Sequence, residues 1–341
     1  MSEIKLNRKE LLEILSIVKP AIDDSISTEM ACFRFDGGTV SGHNDNLHIS
    51  TKFDSKLKCI IPAKVFINLV SSFGSEFITL KIDKNKLLIK SGRSDVKLSL
   101  FDFDKYPDIS VDEKSKNDKV LEITDDLILG LKSLLKYISS DTSTEYYQYL
   151  FIKGKYIYST DGLRIARYKL KKSYDELLLS KKLCDELVKY GGGKLHYNKK
   201  RIFVKYDMQE ILSISQELTF PDCESIFKKF ENKLGNKLVK ISKSLKDTFT
   251  RIGYITSDLS DSVCKMTLND KSMSIESDNK NIGKIVERYK SDVKYKDSSL
   301  FVDVNAMNES ISSIDSLEFI DNVIHLAGEN LDVLVSTIES K

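Results

Sequence analysis

The sequence predicts an α+β protein built from three tandem copies of one domain, and two observations carry that prediction. "LSLFDFDKYPDI" begins at Leu98 and "LSISQELTFPDC" at Leu212; both open on Leu-Ser and close on an aromatic-Pro-Asp. They lie 114 residues apart in a chain of 341, which is close to one third of its length. That spacing suits a single domain and far exceeds the roughly 20–50 residues of a solenoid repeat. The second observation is a repeated helix face: Leu127, Leu131 and Leu134 return as Leu245, Phe249 and Ile252 at a constant shift of 118. The copies are placed at residues 1–118, 119–221 and 222–341.

Each copy opens with a short strand and a capped amphipathic helix. In the first, "IKL" precedes "NRKELLEILSIV", with Asn7 as N-cap and Leu11, Leu12, Ile14, Leu15 and Val18 as the buried stripe. In the second, "VLEI" precedes "TDDLILGLKSLLKYI"; Thr124 caps, and Asp125 and Asp126 suit the positive end of the helix. In the third, "LVKI" precedes "SKSLKDTFTRIGYI", capped by Ser242. Strand pairs around an Asp-bearing turn follow: "VSGHNDNLHISTKF" (Asp45), "YIYSTDGLRIARYKL" (Asp161) and "KMTLNDKSMSIES" (Asp270). A second strand-helix unit comes next in "CIIPAKVFINLVSSFG", "ELLLSKKLCDELVKYGGG" and "LFVDVNAMNESISSI". Closing hairpins are clearest in "FITLKIDKNKLLIKSG" and "GKLHYNKKRIFVKYD", where apolar and polar residues alternate. The count is six helices and about two dozen strands. Pro107 and Pro221 cannot donate to a sheet ladder, so the Tyr-Pro-Asp and Phe-Pro-Asp stretches read as linkers between copies.

Composition places the chain among folded, soluble, cytoplasmic proteins. Apolar residues are 41% and charged residues 30%, enough for three small cores under a solvated surface. No stretch approaches the ~18 apolar residues of a membrane span, and the start "MSEIKLNRKE" does not read as a signal peptide. Five scattered cysteines (Cys32, Cys59, Cys184, Cys223, Cys264), with no CxxC, read as reduced thiols. Net charge is only +2, split among the copies as 0, +5 and −3. Affinity for a polyanion must therefore come from how charge is arranged.

"LLIKSGRSDVKLSL" with "DKYPDI", then "STDGLRIA", then "TFPDCESIF" carry a family likeness. In order and spacing they resemble the Ser-Gly-Arg-Ser strand, Thr-Asp-Gly-x-Arg turn and second-linker Phe-Pro-Asp of the bacterial β sliding clamps, the processivity subunits of DNA polymerase III. The resemblance implies a DNA clamp fold and a head-to-tail homodimer of three-domain subunits forming a ring around duplex DNA. It also implies partners: a replicative DNA polymerase and an ATP-driven clamp loader. Polar helix faces would then meet phosphates without reading sequence. The basic residues in place for this are Arg8, Lys9, Lys64, Lys132, Lys136, Lys181, Lys182, Lys243, Lys246 and Arg251. Lys181 and Lys182 match a basic pair that contacts DNA in the family, and Tyr146 and Tyr147 match a tyrosine pair near its inner rim.

The same resemblance places a partner-peptide pocket at Thr160, Gly162, Leu163, Arg164, Ile165, Pro221, Ile226 and Ile338. The family typically ends in Met-Pro-Met-Arg-Leu, whereas this chain runs Ser336 to Lys341 as "STIESK", and Ser225 replaces a common basic residue. An altered peptide preference is therefore expected. At the subunit junction, Lys90, Arg93 and Lys97 are expected to face Glu276 and Asp278, with Met273 and Ile275 as apolar neighbours.

Catalysis finds no constellation to support it. An Asp-Gly turn explains Asp161, and a hairpin explains His43 and His48, which lack further ligands nearby. There is no P-loop and no GxGxxG, so no enzyme activity, metal or cofactor is expected, and ring opening would fall to a partner. The alternative is an enzyme or a scaffold unrelated to DNA, built on the same repeated domain.

Overall fold

Helix caps and apolar stripes set the elements. The computed structural model describes residues 3–25, 27–107, 109, 118–139, 143–231, 239–256 and 262–338. The first stretch runs β1 (Ile4–Asn7), α1 (Arg8–Val18), β2 (Cys32–Asp36), β3 (Thr39–His43), β4 (Leu47–Lys52), β5 (Lys58–Pro62), α2 (Ala63–Ser72), β6 (Phe77–Asp83), β7 (Lys86–Ser91) and β8 (Ser94–Ser99). Next come β9 (Lys119–Glu122), α3 (Asp125–Leu134), β10 (Tyr149–Thr160), β11 (Arg164–Ser180), α4 (Lys181–Tyr190), β12 (Lys194–Tyr197), β13 (Arg201–Lys205) and β14 (Gln209–Ile214). The last stretch has α5 (Cys223–Glu231), β15 (Val239–Lys240), α6 (Lys243–Thr256), β16 (Val263–Asn279), β17 (Gly283–Asp303), α7 (Val304–Ile311), β18 (Ser316–Ile320), β19 (Val323–Ala327) and β20 (Leu331–Ser336).

Local chemistry explains the helix starts. Asn7 accepts from the N–H groups of Lys9 and Glu10, satisfying donors the first turn of α1 would otherwise orphan. Ser242 does the same for Leu245 ahead of α6, and Asp303 for Ala306 in α7. Leu11, Leu15 and Val18 of the α1 stripe are buried while Leu12 and Ile14 are only half-buried; Leu127, Leu131 and Leu134 in α3 and Leu245, Phe249 and Ile252 in α6 are buried. Gly130 lets α3 lie close on its sheet, because a Cβ there would sit 2.7 Å from Ile157 and 2.8 Å from Tyr168.

The chain forms two compact units. One comprises Met1–Thr124 with Lys189–Glu217 and holds a four-stranded sheet, β1-β6-β7-β8, and an eight-stranded sheet, β5-β2-β3-β4-β14-β13-β12-β9. The other comprises Asp125–Val188 with Leu218–Lys341 and holds a six-stranded sheet, β10-β11-β20-β19-β18-β15, and the β16-β17 hairpin. One four-strand arrangement thus recurs three times: β1-β6-β7-β8, β9-β12-β13-β14 and β15-β18-β19-β20. Two of these sets continue into a neighbouring sheet through their last strand, β14 against β4 and β20 against β11. Among the described residues, the last strand of the third set, β8, has one ladder, with β7, and β17 has one, with β16, beside a single isolated bridge from Phe301 to Ile338.

Two readings of the sequence need correction. The count of six helices leaves out "CESIFKKFE", which follows the Phe-Pro-Asp linker and is α5, a seventh helix among the described residues. Asp222 starts it, accepting from the Ser225 N–H and hydroxyl. Nor does Asp270 sit in a hairpin turn. The 17-residue β16 runs through it with shifts of register at Leu268, Asp270 and Ser272, and Lys271 takes φ of 59°. One irregular residue absorbs what looked like a turn, and the chain reverses instead between Asn279 and Gly283. Asp108 of the Tyr-Pro-Asp linker, and Glu339, Ser340 and Lys341 of the "STIESK" end, lie outside the described residues.

Candidate nucleic-acid and partner surfaces

The Thr-Asp-Gly-x-Arg turn joins β10 to β11 and is tied down at every residue. Thr160 Oγ1 donates to the Arg164 carbonyl at 2.7 Å and accepts from the Gly162 N–H. Asp161 Oδ1 accepts from the N–H groups of Leu163 and Arg164. Gly162 has φ of +89°, and a Cβ on it would lie 2.5 Å from the Tyr147 hydroxyl. Glycine is required there by both conformation and space.

Arg164 was expected in the pocket wall, but it is buried and turned the other way. Its guanidinium meets Asp161 at 2.6 Å and Glu309 at 2.8 Å, and donates to the Ala306 carbonyl of α7. Charge from Asp161 and Glu309 outweighs burial and raises its pKa, so it is a fixed structural cation. Thr160 is likewise buried. Ile338 pairs with Phe301 of β17, and the cluster beneath the turn does not include it. Leu163 remains 45% exposed beside Gly162.

That cluster packs Tyr158, Phe220, Cys223, Phe227 and Leu334, with Ile165 and Ile226 half-buried against it. Val323 and Tyr146 join the same set, and neither was expected there. Val323 opens a short strand and carries no motif that could have marked it. Tyr146 and Tyr147 sit in a 3-10 turn, Glu145–Gln148, and not on a strand. The Tyr146 ring meets Phe220 edge-on at 6.0 Å and Tyr147 at 4.8 Å. The tyrosine pair therefore borders the Pro221 linker and the Gly162 turn. Next to Pro221 a cavity of about 230 Å³ opens between Phe151, Tyr158, Phe220, Cys223 and the polar side chains of Lys153, Glu176, Asp222 and Glu224.

The basic residues divide by what holds them. Lys9, Lys132 and Lys243 are exposed, and no ion partner is found for them among the described residues. Lys64 pairs with Asp24 at 3.1 Å and Lys181 with Asp185 at 3.2 Å, both exposed pairs worth at most ~1 kcal/mol. Lys182 is exposed, and Arg8 donates from Nε to the Ser75 carbonyl. Lys136 and Lys246 close the end of α7: Lys136 Nζ donates to the Glu309 carbonyl and the Ser313 hydroxyl, and Lys246 Nζ to the Ser312 carbonyl. Burial and then the Arg164 charge lower the Lys136 pKa.

Arg251 of α6 is committed to Glu287, both nitrogens at 2.7 Å from its oxygens. Burial pushes the Glu287 carboxyl up, but hydrogen bonds from Thr248, Arg251 and Tyr289 outweigh it and hold the pKa below its usual range.

The expected junction residues are redistributed too. Lys90, Arg93 and Lys97 are exposed on β7, β8 and the turn between them. Met273 and Ile275 are 3% and 0% exposed within their own unit, so neither reaches a surface. Glu276 and Asp278 are answered locally by Lys284, at 3.5 and 3.9 Å. Lys284 and Arg288 of β17 are exposed.

No group of three or more His, Cys, Asp or Glu among the described residues is arranged to hold a metal. No helix among them is long and apolar enough to cross a membrane. His48, opposite His43 across β3 and β4, is pushed down to about 4 by burial, then by the neighbouring His43 and Arg34.

Repeated four-strand sets joined edge to edge, with helices on them, define the class: this is the DNA clamp fold. The sequence model described as "DNA polymerase III beta subunit, N-terminal domain" matches residues 39–110. The Beta sliding clamp of Mycoplasma pneumoniae is 23% identical over 303 residues, covering 82% of this chain and 78% of that protein. The DNA polymerase III beta chain of Streptococcus pneumoniae aligns over 100% of both chains with a TM-score of 0.80 at 17% identity. The Helicobacter pylori beta clamp, solved bound to a DNA ligase peptide, gives 0.77 at 16%, covering 99% of this chain and 100% of that one. In sequence and in fold the chain is similar to the bacterial DNA polymerase III beta sliding clamps, the likeness its motifs carry.

Proposed function

We propose that this protein is a sliding clamp: two copies close head to tail around duplex DNA in the cytoplasm and tether a replicative polymerase for processive synthesis. One observation carries the reading. Three equal four-strand sets offer three joining edges, two are used within the chain, and β8 and β17 are left over, one at each end of the series. Unpaired strand edges invite pairing with another chain. A unit with one unlike edge at either end closes by joining copies of itself head to tail. The three copies at 1–118, 119–221 and 222–341 are the units of that symmetry.

Backbone pairing and the half-buried Val96, Leu98, Ile285 and Val286 would hold the junction. Ion pairs contribute little to it. Lys9, Lys132 and Lys243 serve as phosphate contacts, uniform along the duplex and screened by salt. Partners dock on the apolar patch formed by Gly162, Leu163, Ile165, Pro221 and Ile226, with Tyr146 and Val323 at its margin. Polymerase and ATP-driven loader take turns there. The protein itself catalyses nothing.

Light scattering across a dilution series tests the assembly. The reading expects a mass of twice 38.8 kDa at micromolar concentration. A constant single-chain mass would contradict it.

A further inference from the structure

A compact polar lock ties the open strand to a helix. Glu287 and Tyr289 lie in the first half of β17, opposite the buried Ile275 and Met273 of β16, so their side chains share the face that packs on α6. There the Glu287 carboxylate receives Arg251 in a two-pronged pair at 2.7 Å. The Thr248 hydroxyl, on a fully buried residue, lies 2.6 Å from the same carboxylate. The Tyr289 hydroxyl is 3.0 Å from that carboxylate, 3.2 Å from the Ser244 carbonyl, and in contact with the Thr248 hydroxyl. Tyr289 from the strand and Thr248 and Arg251 from the helix thus converge on the one Glu287 charge.

The equivalent strand, β11, has a ladder on each side; β17 has one. A strand fixed on one side only must be ordered when a second chain adds to it, and that ordering weakens association. Two-pronged Arg–carboxylate pairs are geometrically strict as well as strong. A lock of this kind on the inner face orders the strand beforehand while leaving its outer edge open.

We propose that the Arg251–Glu287 pair is a positioning device, which holds the β17 edge ready for β8 of a second copy of this chain, and is not a contact to DNA. The proposal rests on the head-to-tail reading above. It turns a residue expected to touch phosphate into one that acts through a strand.

Full-length Arg251→Ala, Glu287→Gln, Arg251→Lys and the exchanged pair Arg251→Glu with Glu287→Arg are compared by sedimentation and in salt titrations of DNA association. Arg251→Ala and Glu287→Gln should each weaken the dimer at least tenfold. Arg251→Lys and the exchanged pair should recover part of that loss, which general loosening of the fold would not produce. Above the dimer constant, the salt slope of Arg251→Ala should equal that of the unaltered protein. An unchanged dimer constant in both single variants overturns the inference. So does a slope reduced by about 0.9 in Arg251→Ala, the change expected for one lost phosphate contact. If the unaltered protein never dimerises, the head-to-tail reading itself fails, and that result is distinct from the other two.

Discussion

Strands β11 and β17 begin after equivalent turns in successive copies, yet one is flanked on both sides and the other on one. β11 forms ladders with β10 and β20; among the described residues β17 forms one with β16 and otherwise makes only the isolated Phe301–Ile338 bridge. The turns differ to match. Thr160–Ile165 is anchored to α7 through buried Arg164, whereas Asn279 holds its turn by accepting from the Asn281 N–H and donating to the Ile255 carbonyl. The same building plan gives an internal seam in one place and an unsatisfied edge in the other. Such an edge is open to pairing with another chain.

The largest effect should come from placing a carboxylate at each kind of seam. Val333→Asp, on β20 at the closed seam, puts a charge where the side chain is 0% exposed and should cost at least ~3 kcal/mol, unfolding its unit. Val96→Asp, on β8 at the open edge, should barely move thermal unfolding of the single chain and should abolish the dimer. Equal loss of fold in both would erase the distinction between the seams.

Arg164→Ala comes next. It strands Asp161 beside a vacated buried site and should destabilise by ~3–5 kcal/mol in urea unfolding. A loss below about 1 kcal/mol would show the turn does not depend on that anchor.

Most of the repeat could be read from the sequence, because buried stripes at helical spacing and alternating strands leave a periodic trace. Leu127, Leu131 and Leu134 against Leu245, Phe249 and Ile252 sufficed to align two copies. The exceptions are physical. α5 was missed because Phe-Pro-Asp looked like punctuation, although Cys223, Ile226, Phe227 and Phe230 follow it at helical spacing, and Glu224 pairs with Lys228 one turn on. Asp270 misled because an Asn-Asp-Lys run suits a turn and a strand irregularity equally. Site residues were less legible than elements. Charge sign in a sequence does not say whether a cation meets solvent, as Lys132 does, or a carboxylate, as Arg251 does.

The first copy offers a pH-dependent version of a closed seam. His48 on β4 is buried, with its pKa pushed down to about 4 from 6.5. The unfolded chain takes up the proton first, so stability is intact above pH 6.5 and falls as pH drops toward 4. The loss from this group should reach about 3 kcal/mol. His48→Gln should flatten that part of the profile; an unaltered profile would mean His48 does not titrate as its burial requires.

Gly162→Ala should cost about 1–2 kcal/mol, since a side chain at φ of +89° is strained and meets the Tyr147 hydroxyl. It should also weaken binding of a polymerase-derived peptide. The smallest effect is expected from Lys132→Ala with Lys243→Ala. Together they should lower the salt slope of DNA association by about 0.9 each and leave dimer mass unchanged.

The central claim is topological, and one measurement addresses it most directly. The dimer is opened and loaded onto closed circular duplex DNA by a clamp loader, and its retention on gel filtration is followed before and after a single cut linearises the circle. An encircling ring stays with the closed circle through a high-salt wash and leaves once the DNA has ends. Equal retention on circular and linear DNA would show a protein that binds the outside of the duplex, and would contradict the account.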